Sequence, residues 1–425
     1  MKDKINYLLK SGFIGIMISN TLVKLLVFAS SIFLPRFLSV NNFGIFSYTE
    51  NIFNYFLIIN GIGISNSILK YCSNNDSIED HKAYLDYILR IGIVFDIFLI
   101  IVMFVFSILF NFEFEYSQQL FQFMLLIPIL SFVFECIQLY LRSNFENSKY
   151  SILTFSYSFF FLVLQILFAI YFAITGVVIA KYISLLMALN LGGYFLYRTD
   201  YFKITKSKRD SLRKKEIIKY GLTMLVGNFA SIIVTLNDNQ VFNNYIKDSS
   251  AIAMYKVGSL PLQIMLFFTN SIIIFIIPIF VKHSSDKNWI KKNYKLTMII
   301  NLLICIVIHF VFYLLAEYFI LIFYGSKYIE ALPYINRFLC ISFVLSTLRN
   351  IPGNLLAILG HENYNLIINI ITVAIHFILQ ILFISNFGTD GVGIALFISY
   401  LVSGILLFRK MYITINDKEK ERTNI

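Results

Sequence analysis

The chain has 425 residues, of which 58% are hydrophobic, 17% aromatic and 14% charged, with a formal net charge of +11. Soluble proteins run about 45–50% apolar and about 25% charged. This balance excludes a set of soluble domains, a disordered chain and a collagen, and it describes an integral membrane protein. Cys72, Cys136, Cys305 and Cys340 are scattered, with neither a Cys-x-x-Cys pair nor a histidine at ligand spacing. Neither a disulfide framework nor a metal site is expected.

A helix needs about 20 mostly apolar residues to cross a hydrocarbon core of ~30 Å. In chain order such stretches lie at 12–34, 43–69, 84–110, 119–141, 150–174, 177–198, 217–242, 251–281, 296–318, 331–358, 364–385 and 391–412. The expected fold is all-α, with about twelve transmembrane helices. A polar stretch divides them into an N-terminal six-helix bundle at 1–198, a basic linker at 199–216 and a C-terminal bundle with its tail at 217–425. The first segment follows lysines, as a signal peptide would. It exceeds the usual 7–15-residue signal core and contains Lys24, so it reads as a retained first helix.

Lysine and arginine set the orientation. Lys2, Lys4 and Lys10 precede the first stretch, and Arg198, Lys203, Lys206, Lys208, Arg209, Arg213, Lys214, Lys215 and Lys219 crowd the linker. Lys282, Lys287, Lys291, Lys292 and Lys295 fill the eighth connection, and Arg409, Lys410, Lys418, Lys420 and Arg422 the tail. With alternating helices all of these share one face. The other has little beyond Arg36, Lys247 and Lys327, beside Glu113 and Glu115. Both termini are expected in the cytoplasm. The basic excess is thus a topology signal, and no nucleic-acid partner is needed to explain it. The linker also suits anionic lipid head groups.

The two halves repeat. Leu164-Gln165-Ile166-Leu167-Phe168 recurs as Leu379-Gln380-Ile381-Leu382-Phe383, and in the same register Gly176-Val177 meets Gly391-Val392 and Ile183-Ser184 meets Ile398-Ser399. Upstream, Glu146-Asn147 has a counterpart in Glu362-Asn363 after a one-residue shift, and Phe43-Gly44-Ile45-Phe46 is echoed more weakly by Ile252-Ala253-Met254-Tyr255. Six helices per copy is an even number, so both copies enter from the same side. That implies a pseudo-two-fold axis along the membrane normal, a common transporter plan with the site between the halves.

No Gly-x-x-x-x-Gly-Lys-Ser/Thr, His-Glu-x-x-His or Gly-x-Ser-x-Gly is present, so neither an enzyme nor a cofactor is expected. Gly61-Ile62-Gly63 and Gly391-Val392-Gly393 read as close-packing glycines. The informative residues are ionisable groups inside apolar stretches: Lys24, Glu50, Asp96, Glu135, Lys181, Asp238, Lys256, His309, Arg349 and His376. Each costs at least ~2.5–3.5 kcal/mol at the bilayer centre and calls for a partner or a hydrated cavity. Asp96 and Glu135 either pair with a basic residue within their half or carry a coupling ion. Arg349 either serves an anionic substrate or snorkels to the interface, as Lys181 does near the opposite face. His309 and His376 read as hydrogen-bonded packing histidines or as groups that titrate near neutrality. Tyr48, Tyr55 and Tyr255 are candidates for stacking on sugar rings, although most tyrosines suit the interfacial belt.

The run Leu34-Pro35-Arg36-Phe37-Leu38-Ser39-Val40-Asn41-Asn42-Phe43-Gly44-Ile45-Phe46-Ser47 resembles the signature after the first helix of the polysaccharide-transporter branch of the multidrug/oligosaccharidyl-lipid/polysaccharide exporter superfamily. Leu321-Ile322-Phe323-Tyr324-Gly325-Ser326-Lys327-Tyr328 resembles that branch's ninth-to-tenth connection, and Phe387-Gly388-Thr389-Asp390-Gly391-Val392-Gly393-Ile394-Ala395 its turn before the last helix. The chain departs from the pattern at Asn243-Asn244 and Ser249-Ser250. The resemblance implies a flippase of the O-antigen (Wzx) type. Such a protein moves an undecaprenyl-diphosphate-linked oligosaccharide across a bacterial cytoplasmic membrane by alternating access, with no cofactor. Its partners would be that glycan lipid, membrane lipids and other membrane proteins of polysaccharide assembly. The first, second, seventh and eighth helices would face the cavity, which singles out Lys24, Glu50, Asp238 and Lys256. Lys24 and Lys256 either attract the diphosphate or form ion pairs with carboxylates such as Asp238 or Glu50. Alternatives are an ion-coupled multidrug-type exporter and a surface-polysaccharide polymerase, which would need a large outer loop. In a cysteine scan on a thiol-free background, a cysteine at position 208 should react with a membrane-impermeant reagent only after permeabilisation; labelling of intact cells would reverse the orientation.

Overall fold

The computed structural model describes residues 13–72, 78–199, 201–203, 213–283 and 286–416. Lys2, Lys4, Lys10, Lys206, Lys208, Arg209, Lys418, Lys420 and Arg422 lie outside them. All the regular structure among the described residues is helical. Seven helices are long and apolar enough to cross a membrane, and nine when each of two bent pairs counts as one span. The helix Asn147–Arg198 has 52 residues, about 78 Å at 1.5 Å per residue, against a core of ~30 Å. It is broken at Ala173, and its length suffices for two crossings. With Phe13–Phe37 and Lys214–Ile246, about twelve spans result, as the apolar stretches predict.

By contacts the chain forms two compact units, 1–229 and 230–425, so that Lys214–Ile246 contributes to both. In the first, Phe13–Phe37 and Ile127–Ser143 each pack along Asn147–Arg198, and Ile78–Leu109 packs against Ile127–Ser143. Phe53, Phe56, Phe106 and Phe121 interlock at one end, mostly edge to face. At the other, Lys82 donates to the Tyr201 carbonyl (2.9 Å) and the Tyr201 hydroxyl donates to Asp86 (2.6 Å). Burial and that carboxylate push the Tyr201 hydroxyl up, so it stays a donor and anchors the chain after the sixth span. In the second unit Glu362–Phe387 lies along Thr389–Asn416, and Leu332–Val344 packs against Leu260–Lys282, Lys287–Phe323 and Thr389–Asn416. Its core includes Phe280, Ile351, Leu355, Leu407 and Met411.

Two spans expected to be continuous are broken. The stretch 43–69 is interrupted by a 3-10 turn, Asn60–Asn66, in which Gly61, Ile62 and Gly63 take φ of 53°, 51° and 71°. The helices on either side bend by 60°. Three successive left-handed residues need glycines on both sides of Ile62. Gly61 is also a close approach, since a Cβ there would fall 2.2 Å from the Phe132 ring. The stretch 119–141 bends by 40° between Ser117–Phe123 and Ile127–Ser143. A π-turn, Leu345–Asn350, widens the tenth span. Asn301 donates to the Ser346 carbonyl within it (3.1 Å), satisfying backbone that the α-ladder leaves open.

The repeat is visible as local geometry. Residues 215 apart adopt the same unusual backbone: Ala173 at φ 50°, ψ −132° and Gly388 at φ 58°, ψ −135°. A Cβ on Gly176 would fall 2.0 Å from the Phe168 carbonyl oxygen, and one on Gly391 2.3 Å from that of Phe383. Ser184 and Ser399 each donate to the carbonyl four residues back, at 2.6 Å in both. The second span of each half opens on a capping side chain, Ser39 and Asp248. Ala173 thus holds a conformation that glycine holds in the other copy. Such a residue is strained by about 1–3 kcal/mol, more than the ~0.5–1 kcal/mol of unfolded-chain entropy that glycine adds. Ala173→Gly should therefore raise the thermal midpoint of the detergent-solubilised protein, by about 1 kcal/mol of stability, and Gly388→Ala should lower it by about 1–3 kcal/mol.

Candidate functional site

Each unit carries a buried polar cluster built around a carboxylate. In the first, the backbone N–H of Gly61 donates to Asp96 Oδ1 at 2.8 Å, and the Ser65 hydroxyl donates to Glu135 Oε1 at 3.0 Å. Asn60 donates to Ser131 at 3.4 Å. Asp96 is fully buried, and its Oδ2 has no hydrogen-bond partner among the described residues. Neither carboxylate makes an ion pair among the described residues. Pairing with a lysine or arginine inside the half is therefore not what holds them; the broken second span supplies the donors instead. Gly61 and Ser65 both lie in the 3-10 interruption of that span, so two acids from the third and fourth spans meet the backbone kink. A buried acid with a spare oxygen can take a proton or a small cation.

In the second unit the Tyr255 hydroxyl donates to Asp238 Oδ2, and Gln380 donates to Oδ1 at 3.3 Å. His376 Nε2 lies 3.6 Å from the same Oδ1. Asn237 donates to Gln380 Oε1. Asp238 is 3% exposed and His376 fully buried. The sequence places Asp238 among candidate substrate contacts; the structure sets it within the unit, held by three neighbouring side chains. His376 faces the carboxylate, and among the described residues neither ring nitrogen has a partner in ordinary hydrogen-bond geometry. Its spacing of four from Gln380, one face of one helix, was the available signal. His309 likewise packs edge-on to Phe343 rather than hydrogen-bonding through Nδ1.

Arg349 does not snorkel. It sits in the π-turn, donates to Asn369 at 2.7 Å and lies 5.2 Å from the Tyr400 ring, which turns it into the unit rather than along the span. Tyr48 and Tyr255 are not available for sugars. Tyr48 packs edge-on to Phe114, and Tyr255 stacks on Phe242 at 3.9 Å; both are 2% exposed. Lys24 is exposed on its unit, and Glu50 and Lys256 are half-buried. Among the described residues neither Glu50 nor Lys256 forms an ion pair. Lys181 lies 6.0 Å from the Phe53 ring and interacts electrostatically with Glu50. Two contacts went unread in the sequence: Arg337 with Asp390, and Gln165 with Ser30. The first joins residues 53 apart and the second 135 apart, and no local pattern marks either.

The sequence matches the profile of a family described as Polysaccharide biosynthesis protein over residues 9–284. No curated protein matches it. The fold is similar to that of a multidrug resistance MATE family transporter of the MOP superfamily in its inward-facing conformation, with a TM-score of 0.76 at 15% identity over 92% of this chain and 94% of the other. It is also similar to the lipid II flippase MurJ in an inward closed conformation, with a TM-score of 0.72 at 16% identity over 93% and 87%. The MATE multidrug transporter DinF-BH aligns with a TM-score of 0.62 at 16% identity over 96% of each chain. At such identities the likeness concerns the fold.

Hydrogen bonds to charged groups contribute about 1.5–3 kcal/mol, which fixes the expectation for the second cluster. Tyr255→Phe should destabilise the protein by about that much, and far less when Asp238→Asn is already present. A double-mutant cycle measures the coupling; simple additivity would separate the two residues.

Proposed function

The chain belongs to the polysaccharide biosynthesis protein family, and from that premise we propose that it is a flippase for an oligosaccharide carried on undecaprenyl diphosphate. It is a multi-pass membrane protein of the flippase and exporter superfamily, and translocation breaks no bond. The family match carries the reading; cationic side chains in apolar spans support it. Lys24 and Lys256 are proposed to draw the diphosphate out of water, because two phosphate charges need compact counter-cations in a low-dielectric site. Glu50 is proposed as a further substrate contact, within an apolar span like the two lysines. Arg349, turned inward, offers a further cation.

The proposed site is the cytoplasmic membrane of a bacterium, with both termini inside, and the substrate is an O-antigen or similar repeat unit. Moving two negative charges outward against an inside-negative potential is favoured by ~2.3 kcal/mol per charge per 100 mV. A coupling ion at Asp96 and Glu135 would supply the rest of the cycle, and the spare oxygen of Asp96 supports that role.

Deleting the gene should remove a surface glycan and cause its lipid-linked precursor to accumulate. Lys24→Ala should reproduce the loss of export at near-normal protein abundance, while Lys24→Arg, which keeps the charge, should retain much of it. Normal export by a stable Lys24→Ala protein would overturn the diphosphate role.

A further inference from the structure

A groove of about 530 Å³ runs along the flank of the second unit, between the helices Lys287–Phe323, Leu332–Val344 with its π-turn, and Thr389–Asn416. That volume falls in the range of ligand pockets, about 300–1,000 Å³. Most of its wall is apolar and includes Met298, Leu302, Phe343 and Phe408. One end is different. Lys291 and Lys295 line it, one turn apart on the same helix face, and both are exposed. Among the described residues neither forms an ion pair. Met298 and Leu302 continue the stripe, so the face passes from two cations to hydrocarbon within three turns. Leu302 and Phe408 are each 40% exposed and Ile299 45%, which leaves the groove open from the side.

We propose that this groove holds an anionic phospholipid, with an acyl chain along Met298, Leu302 and Phe408 and the headgroup phosphate between Lys291 and Lys295. An acyl chain that leaves the bilayer interior for an apolar groove gains nothing from the hydrophobic effect, since lipid tails are as apolar as leucine. The groove therefore selects by headgroup. Two lysines near the phosphate level favour an anionic lipid over a zwitterionic one by about tenfold. With the orientation adopted under the proposed function, which this inference shares, the lysines open the ninth span on the cytoplasmic side, where anionic lipids give the leaflet its negative surface potential. Neither Lys24 nor Lys256 lines the groove, and the assignment does not depend on which glycan is moved.

The test uses the purified full-length protein in mild detergent, with phosphatidylglycerol and phosphatidylcholine of identical chains as probes and native mass spectrometry as the readout. Phosphatidylglycerol should bind about tenfold more tightly. The double variant Lys291→Gln/Lys295→Gln should lose that preference and keep phosphatidylcholine binding. Lys292→Gln, an exposed neighbour outside the groove, should keep the preference. Ile299→Trp, which fills the groove and leaves the lysines, should weaken both lipids. A preference that survives the double variant, or that is lost with Lys292→Gln, would overturn the proposal. So would displacement of phosphatidylglycerol by equimolar undecaprenyl phosphate, which would make the groove a station for the transported lipid. Failure here leaves the flippase reading standing, because glycan loss on gene deletion is read independently.

Discussion

The constraint on which this structure depends is the absence of water around its backbone. In hydrocarbon each freed N–H or C=O costs several kcal/mol, so a helix can break only where the freed groups find other partners. Asp96 does so for Gly61 at the kink of the second span, and Asn301 for the Ser346 carbonyl in the π-turn of the tenth. The buried polar residues are therefore the condition under which the spans bend. Around the second span the bend and the chemistry share one group. The carboxylate that accepts from Gly61 through Oδ1 has its Oδ2 unoccupied by any described donor. A ligand on that oxygen would act directly on the group that holds the kink.

The repeat clarifies which features are scaffold. The Gly176 and Gly391 approaches, the Ser184 and Ser399 hydrogen bonds and the paired backbone of Ala173 and Gly388 are common to both copies. The company of the repeated glutamine is not. Gln165 meets the hydroxyl of Ser30, whereas Gln380 meets Asp238 and Asn237, with His376 beside them. The same fold position is neutral in one half and carries a carboxylate and an imidazole in the other. Packing has been retained while polar chemistry has diverged, as expected when function resides in sites grafted on a common scaffold.

The spans were legible because length and hydropathy determine them, and the repeat because glutamine, glycine and serine matches are informative in a chain rich in Leu, Ile and Phe. The kink at Gly61 was not, since two glycines in an apolar stretch look the same whether they pack a helix or break it. Nor was the π-turn: Leu345, Ser346, Thr347 and Leu348 all suit an ordinary helix. That hidden bulge is why the sequence leaves snorkelling to the interface open for Arg349. Tyr48 and Tyr255 stay open as candidates for sugar stacking in the sequence for a related reason. Apolar stretches without polar alternation do not say which face looks inward, and three-dimensional neighbours such as Phe114 and Phe242 decide it.

The central claim is that this chain moves a lipid-linked glycan between leaflets, and transbilayer movement in reconstituted vesicles measures it most directly. Purified protein would be placed in vesicles containing a fluorescently tagged oligosaccharide on undecaprenyl diphosphate, with leaflet position read by a membrane-impermeant quencher. The account predicts that protein-containing vesicles exchange the labelled lipid between leaflets far faster than protein-free ones, and that an inside-negative potential biases it outward. Exchange no faster than in empty vesicles, from protein that transports a cationic dye in the same preparation, would contradict it.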